Sequence, residues 1–302
     1  MKLLLPFRIS AMATAIALFV PSLCRANSEM RDWTLAAGGT LRAEIENVDE
    51  SAGTVTLRKE DKSEVKLKTD DFATLDRAWL LEWIETAEEL EAEVTKLGGR
   101  IEHFQGRGAT TVTDFYVYHP SGAVAPDKPR AMMILFDPSG KGRRYLLRHM
   151  EAADAAKMIL ITTDVFRNNM DGIDRFRELF PIIGETVAHD PARVFLGGTS
   201  GGASKAFHFS AHVSQYPWAG VYSNGGWLGG KEFWGLPFPS KMKVAMVNGD
   251  KDKAANQWLD GDTKALQGRG ITVAVMAFEG AHQIPPASVQ TKAFKWLLGD
   301  LE

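Results

Sequence analysis

The segment Gly197-Gly198-Thr199-Ser200-Gly201-Gly202 constrains the fold of this chain more than any other. It is entered from the apolar run Arg193-Val194-Phe195-Leu196 and left through Ala203-Ser204-Lys205-Ala206-Phe207, so a β-type stretch gives way to a helical one within six residues. A Gly-x-Ser-x-Gly sequence at such a junction reads as a nucleophile elbow. The serine takes a strained conformation tolerated only between residues without bulk, and its hydroxyl is lifted above the sheet. Gly198 and Gly202 let strand and helix approach with no Cβ between them, while the Gly201 N–H points to an oxyanion beside Ser200. In a chain with 28 glycines the motif also arises by chance, so its surroundings decide.

From about residue 109 onward, apolar β-type runs alternate with stretches of helical apolar spacing. The runs lie at 113–119, 131–136, 157–163, 193–199, 219–223, 243–248 and 272–278, and the helical stretches at 145–156, 173–187, 203–213, 256–267 and 288–298. This predicts an α/β fold, a mostly parallel sheet with helices on both faces. Ligands of such sheets bind beyond the carboxyl ends of the strands.

A serine hydroxyl needs a base to take its proton, and the base needs an orienting acid. Gly249-Asp250-Lys251-Asp252 follows the strand ending Val247-Asn248. Asp252, three residues past the turn glycine, is the candidate acid and Asp250 the alternative; either also suits a helix N-cap or a turn. Glu279-Gly280-Ala281-His282 follows the last strand, and of seven histidines His282 alone sits in a glycine-marked turn there. His208 and His212 stand four apart on the helix after the elbow, a metal-ligand spacing without a nearby carboxylate pattern, and a packing or surface role is expected for them.

The order Ser200, Asp252, His282 resembles that of the α/β-hydrolases. The resemblance covers about residues 113–301 and is closest to secreted polyhydroxybutyrate depolymerase-like and feruloyl or acetylxylan esterase-like enzymes. It implies a serine hydrolase of carboxylic esters, with Ser200 as nucleophile, His282 as proton shuttle and Asp252 behind it. The oxyanion would be held by the N–H groups of Gly201 and Ser139, with Gly140 next after Ser139, in the loop Asp137-Pro138-Ser139-Gly140-Lys141-Gly142. Many lipases and esterases have His-Gly-Gly here. A carboxylate aimed at an oxyanion opposes catalysis, so Asp137 is expected to turn toward Arg143 or Arg144. Residues 224–242 are too few for a large helical lid, and Trp227 near the strand end is the candidate substrate contact. A peptidase on the same fold is one alternative, although the N-terminal segment is too small for the caps that gate such peptidases. A non-catalytic envelope protein binding peptide or glycan is another.

At 302 residues the chain exceeds the common domain size. Residues 1–26 carry Lys2 and Arg8, an apolar run from Ala11 to Val20, Pro21 and Cys24-Arg25-Ala26, the pattern of a cleavable signal peptide too short to span a bilayer. Its removal takes the only cysteine, Cys24, and three bases, leaving 32 bases against 38 acids. That balance argues against nucleic acid as partner, and no phosphate-cradling loop, dinucleotide fingerprint or cysteine metal motif implies a cofactor. A secreted or periplasmic location is expected.

Residues 27–85 form a different unit. Leu41, Ala43, Ile45 and Val48, then Val55 and Leu57, then Val65 and Leu67 alternate with polar residues between turns, and Trp79, Leu80 and Trp83 follow at helical spacing. With Arg31-x-Trp33-Thr34 and Gly38-Gly39, this segment resembles the Sla-one homology domain, an SH3-like barrel that binds peptide motifs, and it implies a peptide or glycan as a possible partner. Residues 86–108 are acidic, helix-favouring, then glycine-broken, and are expected to be a helical linker to a catalytic domain at 109–302.

Overall fold

The computed structural model describes residues 30–301 apart from 50–51, 108–111, 125–127, 169–171 and 214, with side chains not described at 105–107 and 112–114. The expected signal peptide lies outside the described residues. In chain order the elements are β1 (Arg31–Thr34), β2 (Thr40–Asp49), β3 (Thr54–Lys59), β4 (Glu64–Lys68), α1 (Thr74–Leu97), β5 (Arg100–Arg107), β6 (Val112–His119), β7 (Met132–Phe136), α2 (Gly142–Ala156), β8 (Ile159–Thr162), α3 (Ile173–Thr186), β9 (Val194–Thr199), α4 (Gly201–His212), β10 (Gly220–Asn224), β11 (Lys243–Gly249), α5 (Lys253–Gln267), β12 (Thr272–Phe278) and α6 (Ala287–Leu298).

Strands β5 to β12 make one eight-stranded sheet, ordered β12-β11-β10-β9-β7-β8-β6-β5. Pairing is parallel from β12 to β8 and antiparallel for β8–β6 and β6–β5. The parallel strands β7, β8, β9 and β10 are buried along their whole length, as a sheet covered on both faces requires. On one face Phe176, Leu179, Phe207, Phe209 and Leu266 of α3, α4 and α5 join the core; on the other, Tyr145 and Leu146 of α2 and Phe294 of α6 do. The chain leaves β7 through α2 on one face and β9 through α4 on the other. These strands are neighbours with Phe136 opposite Gly198, so a crevice opens between their carboxyl ends.

The four N-terminal strands form an antiparallel meander, β1-β2-β3-β4, with one further bridge from Leu35 to Phe72. Among the described residues no ladder joins β1 to β4, so the barrel expected from the resemblance is not closed. Its apolar face, with Trp33, Ile45, Val55 and Leu57, is covered by Leu80 and Trp83 of α1 instead.

The expected linker at 86–108 is corrected as well. Helix α1 runs unbroken through residue 85 and ends where Gly98, at φ 70°, caps it in the left-handed region. Residues 100–107 are then an edge strand, with His103 stacked on Tyr116 and Phe104 on Phe115 across the ladder to β6. One helix therefore serves two cores: Leu80 and Trp83 pack on the small sheet, and Leu90, Val94 and Leu97 pack beside α2.

Candidate active site

Ser200 sits at the turn from β9 to α4 with φ 55° and ψ −123°, a sparsely populated conformation for a residue bearing a side chain. Such strain costs about 1–3 kcal/mol and persists only where the surroundings over-determine it. Here they do. The Ser200 N–H donates to Asn224 O at 2.8 Å, and α4 is pressed against β7 so closely that a methyl group at Gly202 would lie 1.9 Å from Phe136 O. A methyl at Gly198 would lie 2.5 Å from the Gly202 carbonyl carbon, so the two glycines meet each other as the motif requires. Beneath the elbow Thr199 Oγ1 is bonded to Tyr145 OH at 2.6 Å and accepts from Asn224 Nδ2 at 2.9 Å.

Asp252 and His282 come together beside it. The His282 Nδ1–H donates to Asp252 Oδ2 at 2.7 Å; the Asp252 side chain is 1% exposed and that of His282 41%. The other oxygen of Asp252 accepts from Ala255 N at 3.1 Å and caps α5, so one carboxylate serves both readings open to it in the sequence. Asp250 instead accepts from Gly280 N at 2.9 Å and braces the turn that carries His282. Ser200 follows β9 and Asp252 follows β11, about 10 Å apart at ordinary strand spacing, with β10 between them. The His282 imidazole lies over Gly225, the residue that follows β10. A Cβ there would lie 3.1 Å from Asp252 Oδ2 and 3.2 Å from His282 Nδ1, in a residue whose φ of 54° also favours glycine. Among the described residues the Ser200 hydroxyl makes no hydrogen bond to the His282 ring.

No family model matches this chain, and no curated protein matches it. Solved structures do. A fluorophosphonate-binding serine hydrolase F from Staphylococcus aureus, solved with substrate bound, superposes with a TM-score of 0.52 at 12% identity over 66% of this chain and 98% of its own. Esterase LipW from Mycobacterium marinum gives 0.54 at 14% identity over 72% and 85%. A hyperthermophilic esterase from Pyrobaculum calidifontis gives 0.54 at 8% identity over 71% and 90%. The chain has the α/β-hydrolase fold.

In this α/β-hydrolase fold the loop after β7 differs from expectation. Asp137 turns neither to Arg143 nor to Arg144. Its Oδ2 accepts from the N–H of Lys141 at 2.7 Å and of Ser139 at 3.1 Å, and its carbonyl accepts from Gly140 at 3.2 Å. The local reason is that Asp-x-Ser offers a carboxylate two residues before free N–H groups, a turn that closes on itself. Burial pushes the Asp137 carboxyl above its ordinary value, against the pull of those N–H groups. Arg144 is drawn away to Glu82 at 3.1 Å, and Arg143 lies over the Trp83 ring at 4.2 Å.

Trp227 is half-buried one residue beyond Gly226, where a Cβ would lie 3.3 Å from Ser200 O, and its carbonyl accepts from Ser204 Oγ at 2.7 Å. Phe233 and Trp234 are packing residues: Trp234 donates to Asp262, and Phe233 lies 4.5 Å from the His208 ring. His208 also bonds Leu228 O at 3.2 Å, which fixes the 225–230 loop. Asn168 is a further residue at the site. Its N–H donates to Pro138 O at 2.9 Å, and its amide group lies where a methyl on Gly201 would be, 1.8 Å from Oδ1. It ties the loop after β7 to the elbow, and no local motif marks it.

Proposed function

We propose that the protein is a serine hydrolase of carboxylic esters, exported through its N-terminal leader. Ser200 Oγ attacks the ester carbonyl carbon as His282 Nε2 takes its proton. The tetrahedral intermediate collapses to the acyl-enzyme and expels the alcohol, which carries away the proton from His282. Water then repeats the sequence and frees the acid. Asp252 holds the imidazole in the tautomer with Nδ1–H and stabilises its cation. The Gly201 N–H holds the oxyanion, joined by the Ser139 N–H once it is released from Asp137, and Trp227 borders the substrate.

The observation that carries this reading is the 2.7 Å bond from His282 to Asp252, crossing bare Gly225 beside a serine held at positive φ. The esterases and the serine hydrolase that share the fold support the same chemistry. No helix among the described residues is long and apolar enough to cross a membrane. No observation on the N-terminal sheet favours a peptide or glycan ligand. A fluorophosphonate probe should label the protein and short-chain nitrophenyl esters should be hydrolysed, with both lost in Ser200→Ala. Full activity in that variant would overturn the assignment. Export with cleavage after Ala26 would leave Asn27 as the first residue on N-terminal sequencing.

A further inference from the structure

We propose that the cavity between α1 and the loop after β7 is a subsite for a carboxylate carried by the ester substrate, a reading that rests on the hydrolase assignment above. The cavity holds about 330 Å³ and is walled by Trp79 and Trp83 from α1, Gly140 and Lys141 from the loop, Arg143 from α2, and Arg167. Its wall is linked to the elbow through two consecutive residues. Arg167 packs on Gly140, where a Cβ would lie 2.6 Å from its Cγ, and the next residue, Asn168, packs on Gly201.

Arg143 points to the ligand. It is 5% exposed, and its Nη1 has no hydrogen-bond partner among the described residues. Its guanidinium lies 4.2 Å from the Trp83 ring centroid and 6.0 Å from that of Tyr116. Stacking satisfies the face of a guanidinium; the N–H groups in its plane still need acceptors, and a buried donor left without one costs about 1–3 kcal/mol, more when charged. None of the acids around the cavity forms an ion pair with Arg143 or Arg167 among the described residues. Glu82 takes Lys141 and Arg144, Asp32 takes Arg42, and Asp164 accepts from Tyr116 OH and from Gly142 N–H. Arg143 and the exposed Arg167 therefore face the cavity with no carboxylate partner among the described residues. One buried cation is balanced by one buried negative charge, which a carboxylate supplies and a phosphate dianion exceeds. Its two oxygens also fit the guanidinium fork.

The test has a catalytic and a binding arm, both on the protein without its leader. Monomethyl esters of the dicarboxylic acids from succinate to suberate are compared with methyl esters of monocarboxylic acids of matched length. At one length kcat/KM should favour the carboxylate ester at least tenfold, and the ratio should fall toward one in Arg143→Gln and in Arg167→Gln. The exposed Arg167 site decides the matter if the buried variant does not fold. Benzoate should bind Ser200→Ala at least tenfold more tightly than benzamide by calorimetry, and each arginine variant should weaken it. Equal binding of benzoate and benzamide, or a substrate ratio unmoved by both variants, overturns the subsite. Displacement of benzoate by inorganic phosphate at lower concentration overturns the choice of carboxylate. Failure of all ester hydrolysis with benzoate binding intact would instead strike the hydrolase reading alone.

Discussion

Asp137 accepts a hydrogen bond from the backbone N–H of Ser139, 3.1 Å away, and so occupies the donor expected to hold the oxyanion. A unit negative charge near a developing oxyanion opposes it by on the order of 1–3 kcal/mol at an effective dielectric of about 20. Asp137→Asn keeps an acceptor for the turn and removes the charge. It should raise kcat on a neutral acetate ester by about tenfold with little change in KM. A fall in kcat would mean that the carboxylate contributes more by holding the loop than it costs.

The two aspartates after β11 should separate cleanly. Asp252→Asn disturbs the tautomer of His282 and should lower kcat by about 10⁴, while Asn still offers an oxygen to cap α5. Asp250→Asn weakens only the bond to Gly280 N and should cost about 1 kcal/mol of stability with less than tenfold in kcat. Esterase kinetics and urea unfolding of the two variants check both; a larger kinetic loss for Asp250→Asn would reverse their roles.

Two glycine substitutions should act in opposite directions. Gly202→Ala drives a methyl into Phe136 O and should destabilise by about 2–3 kcal/mol or more and abolish activity. Gly184→Ala places a methyl in open space within α3 and should stabilise by about 0.5–1 kcal/mol. Urea unfolding of both reads the contrast, and equal stability in the two would refute the close approach at the elbow.

His149 should make the fold sensitive to acid. It is fully buried, its Nδ1–H donates to Tyr145 O at 2.8 Å, and burial lowers its pKa to about 4. The unfolded chain therefore binds more protons between pH 6.5 and 4, so stability is complete above that window and falls as pH drops through it. The loss attributable to this residue is about 3 kcal/mol. His149→Gln should flatten the decline in unfolding free energy between pH 7 and 4.5; an unchanged slope would assign it to other groups.

The parallel sheet and the Ser200, Asp252 and His282 positions were legible in the sequence because each rests on local signals: a strand end, a glycine turn and an ordered spacing. Features set by tertiary contact were not. Residues 86–108 read as a linker because Glu85, Glu88, Glu89, Glu91 and Glu93 mask the stripe of Leu90, Val94 and Leu97, and because edge-strand pairing of 100–107 depends on β6. The contact of Arg143 with Trp83 is hidden for the same reason. Trp83 lies 60 residues earlier, and no spacing rule connects them.

Helix α1 joins both hydrophobic cores and lends Glu82 to Lys141 and Arg144 beside the elbow. The unit that recombination could transplant intact is therefore not the eight-stranded sheet alone. A crossover within residues 74–97 would hand the eight-stranded half a foreign helix and strand two cations, Lys141 and Arg144, without their counter-charge. Exchange of this N-terminus between genes would have to carry Glu82 and Trp83 along.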